Sequence, residues 1–83
     1  MIREKIIEIL NTMGLQITEY KNDELIKEYI HDSLALVSFM VFIEDKFDIE
    51  IEEKYFSKDF YETKFEELEN IIKESIAKKK QGE

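Results

Sequence analysis

The stretch "YIHDSLALV", residues 29–37, places a histidine, a carboxylate and a hydroxyl side by side as His31, Asp32 and Ser33. A serine nucleophile needs a base held against its hydroxyl. No Gly-x-Ser-x-Gly elbow surrounds Ser33, and nothing in the pattern around His31 aims its ring at that oxygen. With no other acid-base or nucleophile constellation in the chain, no catalytic residue is assigned and an enzyme is not expected. Asp32 and Ser33 are each good helix N-caps, because a short oxygen-bearing side chain accepts from an N–H that a helix leaves unpaired. Metal chemistry has equally little to work with. There are no cysteines, and the carboxylates from Glu44 to Glu53 lack the spacing and central glycine of an EF-hand loop. No metal site is expected, and a lone His31 reads as a surface or packing residue.

Twenty acidic against twelve basic residues leave a formal charge of -8. That sign repels phosphate backbones, so nucleic acid is not an expected ligand, whereas basic patches on other proteins are. The 83 residues are read as one domain over 1–83, of a size that buries only about 60–65% of its unfolded surface. The absence of cysteine means that no disulfide staples it, which fits a reducing, cytoplasmic compartment. The opening "MIREKIIEIL" has charges too frequent for a signal peptide. The longest nearly uncharged run, Leu34 to Ile43, is ten residues, about half a bilayer crossing. It is a core element rather than a membrane span.

These residues must be positioned by helices, since the chain has no proline, two glycines and almost no strand-like alternation. Ile2, Ile6, Ile9, Leu10 and Met13 recur at helical spacing, with Gly14 as C-terminal cap. A long connection follows, pinned by Leu15, Ile17 and Tyr20, and "DELIKEYI" adds a turn or two of helix. The second helix spans Ser33 to Phe47, capped by Asp32 or Ser33. Ile49 and Ile51 then plug the core from a loop, because one short alternating stretch without a partner makes no sheet. Ser57 is read as the cap of a short third helix carrying Phe60 and Tyr61. Thr63 and Glu66 form a capping-box pattern for a fourth, whose stripe is Phe65, Leu68, Ile71, Ile72 and Ile76. Lys78, Lys79 and Lys80 suit its C-terminus, with 78–83 expected as a tail prone to fraying. The fold class is all-α: a small four-helix bundle, three main helices plus a short third one, with a long first loop. The four tyrosines read as half-buried amphipathic packing residues.

The second helix carries more apolar residues than packing requires. Between Leu34 and Ile43 only Ser38 is polar, whereas a core-facing helix needs roughly three apolar positions in seven. Leu34, Phe39, Ile43 and Phe47 are read as the buried stripe. The surplus, followed by Glu44, Asp45, Asp48 and Glu50, has the composition of a docking face with an acidic rim.

Asp32-Ser33-Leu34 at the start of an apolar second helix, then "IEDKFDIEI", in a small acidic helical chain, closely resembles the acyl carrier protein family. The resemblance is good from about Asn22 to Ile51 and covers the helical plan of the rest loosely. It implies that Ser33 is esterified by 4'-phosphopantetheine drawn from coenzyme A, whose thiol carries acyl or aminoacyl groups as thioesters. A helix N-terminus suits the phosphodiester. The resemblance further implies that Asp32 helps the phosphopantetheinyl transferase recognise the site and that Leu34 anchors the motif to the core. His31 keeps its reading as a surface or packing residue, and any functional role for it would be local contact with the arm. Partners would be that transferase, a loading ligase or adenylation enzyme, and downstream synthases or transferases. They would dock on a monomeric carrier along Ala35, Val37, Met40, Val41, Glu44 and Asp45.

Two departures bear on the pathway. Ala35 and Ser38 stand where many members carry acid, and Ile30 and His31 stand where a glycine is usual before the motif. The first implies partners less basic opposite this segment than the usual fatty acid synthesis enzymes; the second tilts the reading toward a stand-alone carrier of a specialised pathway (polyketide, nonribosomal peptide or aminoacyl transfer) rather than fatty acid synthesis. The segment "EEKYFSKDFYETKF", with Tyr55, Phe56 and Phe60, is longer than its counterpart and would reshape the region of cargo contact. The competing readings are an unmodified helical adaptor that binds proteins through the same helix, and a fatty acid synthesis carrier.

Overall fold

In the computed structural model, which describes residues 2–56 and 58–81, three α-helices carry the fold: α1 (Ile2–Thr12), α2 (Ser33–Phe47) and α3 (Phe65–Gln81). Short 3-10 segments lie at Ile26–Glu28, Glu53–Phe56 and Lys58–Glu62. The expected minor helix is therefore a pair of 3-10 turns. Its expected cap, Ser57, and the Phe56 side chain lie outside the described residues, as do residues 82 and 83. α3 continues as helix through Gln81, with Lys78 and Lys79 engaged in contacts rather than in a free tail.

α1 stops where glycine permits it to. Gly14 adopts φ +103°, its N–H donates to Asn11 O at 3.0 Å, and the Leu15 N–H donates to Leu10 O at 3.1 Å. This pair of bonds satisfies the last carbonyls of the helix in a Schellman motif. Asn11 then ties the first connection down, accepting from Ile17 N at 2.9 Å and donating to Ile17 O at 3.0 Å.

The same connection is stapled to the start of α3 by backbone bonds. Ile26 N donates to Thr63 O (2.9 Å), Phe65 N to Glu24 O (3.0 Å) and Glu66 N to Asn22 O (3.1 Å), beside an isolated bridge between Leu25 and Lys64. The capping box expected at Thr63 and Glu66 is thus displaced: loop carbonyls take the first N–H groups, and Glu67 accepts from Lys64 N at 3.3 Å. Sequence spacing alone cannot show an acceptor arriving from forty residues upstream.

The core joins Ile6, Ile9 and Leu10 of α1, Leu36, Phe39, Met40 and Ile43 of α2, and Phe65, Leu68 and Ile72 of α3, with Ile26, Ile30, Ile49 and Ile51 from the connections. Tyr20 is buried outright rather than half-buried; it stacks on Phe65 with ring centroids 4.2 Å apart and donates to Glu69 Oε2 at 2.6 Å. Arg3 Nε donates to the same oxygen at 3.0 Å. Burial, with the Glu69 carboxylate beside it, raises the Tyr20 phenol well above its ordinary value. Tyr29, edge-on to Phe65, donates to Glu24 at 3.0 Å.

Candidate functional site

Ile30 and Leu36 are both nearly inaccessible, at 2% and 5% exposure, and they act as two pegs that hold the entry to α2 against the core. Between them the backbone lifts four consecutive residues, His31, Asp32, Ser33 and Leu34, into solvent. Asp32 takes an extended conformation (φ -138°, ψ 164°), its Oδ1 accepts from Ala35 N at 2.7 Å, and its carbonyl accepts from Leu36 N at 3.0 Å. Asp32 is therefore the N-cap, which resolves the choice the sequence left open. Ser33 is the first helical residue, and among the described residues no hydrogen bond engages its hydroxyl. The N–H groups of Ser33 and Leu34 stand in the first turn, where a helix has no internal acceptor for them. His31 Nε2 lies 3.3 Å from the Glu28 carbonyl oxygen and donates to it, so the ring is turned back along the chain.

Two expected roles on α2 are corrected by burial. Leu34 does not anchor the motif in the core, being 77% exposed; Leu36 does. Met40 cannot be an interface residue, being fully buried. The reason lies in phase: Leu36, Phe39, Met40, Ile43 and Phe47 follow the i, i+3, i+4, i+7, i+11 spacing of one helical face. Leu34 falls about 160° from Leu36 at roughly 100° per residue. Of the expected stripe, Phe39 and Ile43 are buried and Phe47 is half-buried, so only Leu34 is displaced, by Leu36.

The opposite face is apolar and exposed. It carries Leu34, Val37, Val41 and Phe42, with Asp45 at its far end and Ala35 half-buried at its edge. Glu44 is turned away from it: this half-buried carboxylate accepts from Ile51 N at 2.8 Å, so it serves the loop after α2 rather than projecting toward a partner. Of the aromatics expected to shape the cargo region, Phe60 is buried in the core. Tyr55 is half-buried and lines a groove of about 540 Å³ between residues 48–55 and α3. That groove sits at the C-terminal end of α2, the length of the helix away from Ser33. Among the described residues no group of histidines and carboxylates is arranged to hold a metal ion, and no helix is long and apolar enough to cross a membrane.

Comparison with known proteins returns two relatives. The chain is 33% identical over 63 residues to the D-alanyl carrier protein of Leuconostoc mesenteroides subsp. mesenteroides, covering 75% of this chain and 81% of that protein. It is 30% identical, over the same shares, to the D-alanyl carrier protein of Leuconostoc citreum. The chain belongs to the acyl carrier protein family. No family model matches this carrier, and no solved structure does. Its all-α architecture is nonetheless the one that the sequence resemblance implies.

Proposed function

We propose that this carrier holds an activated small acyl group, an aminoacyl group of the D-alanyl kind, as a thioester on a 4'-phosphopantetheine arm attached to Ser33. The reading is carried by one observation: the Ser33 hydroxyl is exposed and uncommitted at the head of α2, because Asp32 has taken over the capping. In the modification, a phosphodiester forms between Ser33 Oγ and the pantetheine phosphate as the pyrophosphate bond of coenzyme A breaks and adenosine 3',5'-bisphosphate leaves; the serine proton goes to a base of the transferase. The free first-turn N–H groups and the positive end of the α2 dipole then stabilise the phosphodiester charge. The protein itself supplies address and positioning, while partner enzymes supply the acids, bases and nucleophiles.

The names of the two relatives support an aminoacyl cargo. In this reading an adenylating ligase loads that cargo and a transferase receives it, in the cytoplasm. Leu34, Val37, Val41, Phe42 and Asp45, with Ala35 at the edge, form the surface those enzymes meet. Incubation with coenzyme A and a promiscuous phosphopantetheinyl transferase, followed by intact mass measurement, tests the reading. Wild type gains a single phosphopantetheine and Ser33→Ala gains none. An unmodified wild type sinks it. Loading of the holo form with D-alanine, and not with long-chain acyl groups, by the respective ligases tests the cargo.

A further inference from the structure

The two long connections of this fold are fastened in different ways. The first is stapled to Thr63 and the start of α3 by three backbone bonds, whereas residues 48–52 make no backbone bond to α1 or α3 among the described residues: besides α2 they bond only to the adjoining 3-10 turn, where Tyr55 N donates to Glu52 O at 3.0 Å. Their hold on α2 runs through one residue. The Glu44 carbonyl accepts from the N–H groups of Asp48 and Ile49, the latter at 3.1 Å, and the Glu44 carboxylate accepts from Ile51 N at 2.8 Å. On the α3 side the hold is electrostatic and exposed. Lys79 Nζ donates to the Asp48 carbonyl at 2.7 Å and pairs with its carboxylate, and Lys78 Nζ lies 3.2 Å from Glu52, which Lys54 also approaches at 3.5 Å.

We propose that residues 48–52 form a latch, anchored by Glu44 on one side and by Lys78 and Lys79 on the other, which opens as a unit and uncovers the apolar interior between α2 and α3. Closed, the latch buries Ile49 and Ile51 and forms one wall of the groove lined by Tyr55, Ile71 and Glu74. A segment with few backbone ties and exposed ion pairs opens at lower free energy than the helices it joins. Its α3 side also responds to salt, because exposed pairs are screened. The sign is diagnostic. For a chain with charge -8, added salt relieves self-repulsion and protects the helices, yet it loosens the latch.

Amide hydrogen exchange followed by NMR tests this. In wild type, the Ile49 and Ile51 amides exchange faster than those of Phe39, Leu68 and Ile72. Raising NaCl from about 0.05 to about 0.5 M speeds exchange at Ile49 and Ile51 roughly two- to threefold while core exchange does not increase. A Lys78→Met/Lys79→Met variant, altering two exposed side chains, abolishes that salt response. Glu44→Ala speeds exchange at Ile51 about tenfold with core amides unchanged, and Glu44→Gln, whose amide oxygen still accepts, restores most of the protection. Fluorescence of 8-anilinonaphthalene-1-sulfonate rises in Glu44→Ala and not in Glu44→Gln. Exchange at Ile49 and Ile51 as slow as in the core, an equal acceleration at all sites in Glu44→Ala, or a salt response that survives loss of both lysines overturns the proposal. If Glu44→Ala does not fold, the lysine variant and the wild-type salt series decide it.

Discussion

Asp32 does two jobs with one carboxylate, since by taking the Ala35 N–H it fixes the start of α2 and leaves Ser33 unencumbered. Replacing an N-cap aspartate by alanine costs about 1 kcal/mol. Asp32→Ala should lower the urea midpoint accordingly and also slow modification of Ser33, while Asp32→Asn should keep the stability. Tyr20 offers a pH test. Its phenol is raised from 10.0, first by burial and then by the Glu69 carboxylate. The neutral form is therefore favoured in the folded state, and its contribution is complete below the unfolded value near 10. Above that pH the unfolded chain loses the proton and the folded chain keeps it, so stability falls as pH rises. Urea unfolding at pH 8 and pH 11 should show a smaller loss in Tyr20→Phe than in wild type.

α2 separates its duties by face, and adjacent residues of similar type should therefore behave in opposite ways. Leu36→Ala removes a peg that is 5% exposed and should cost about 2–5 kcal/mol. Leu34→Ala removes a side chain that is 77% exposed; it should stay within about 0.5 kcal/mol of wild type while weakening ligase and transferase turnover. Denaturant curves and steady-state loading assays on the two variants check the division directly. At the end of α1, Gly14 stands at φ +103° with open space where a Cβ would go. Gly14→Ala should therefore cost about 1–2 kcal/mol through the backbone alone, read as a shift in thermal midpoint.

At the scale of the molecule, charge and apolar surface are divided between approach and grip. The net -8 draws basic partners from a distance, but the proposed docking face carries Asp45 at one end and apolar residues elsewhere, with Glu44 occupied at Ile51. Association with a cognate ligase should therefore slow as salt rises, and dissociation should change little, because rim charges act on encounter whereas buried apolar contacts set residence time. Stopped-flow measurement of both rates across a salt series tests this, and a steep salt dependence of dissociation counts against an apolar grip.

Much of this protein was legible in its residue pattern. Ile6, Leu10, Phe65, Leu68 and Ile72 announce their helices by spacing, Gly14 marks the first stop, and Ile49 and Ile51 enter the core from an unpaired loop as their isolation suggested. Those features rest on local periodicity and backbone sterics, which a sequence carries openly. Other features depend on partners distant in the chain or on helix phase. The first N–H groups of α3 find carbonyls at Asn22 and Glu24, Glu44 folds back onto Ile51, and Tyr20 meets Glu69. Which of Leu34 and Leu36 points inward followed from the docking of one helical face on α1 and α3. Residue types could nominate Asp32 and Ser33 together as caps; only the packed Ile30 and Leu36, by setting the register of α2, made Asp32 the cap and left the serine hydroxyl facing water.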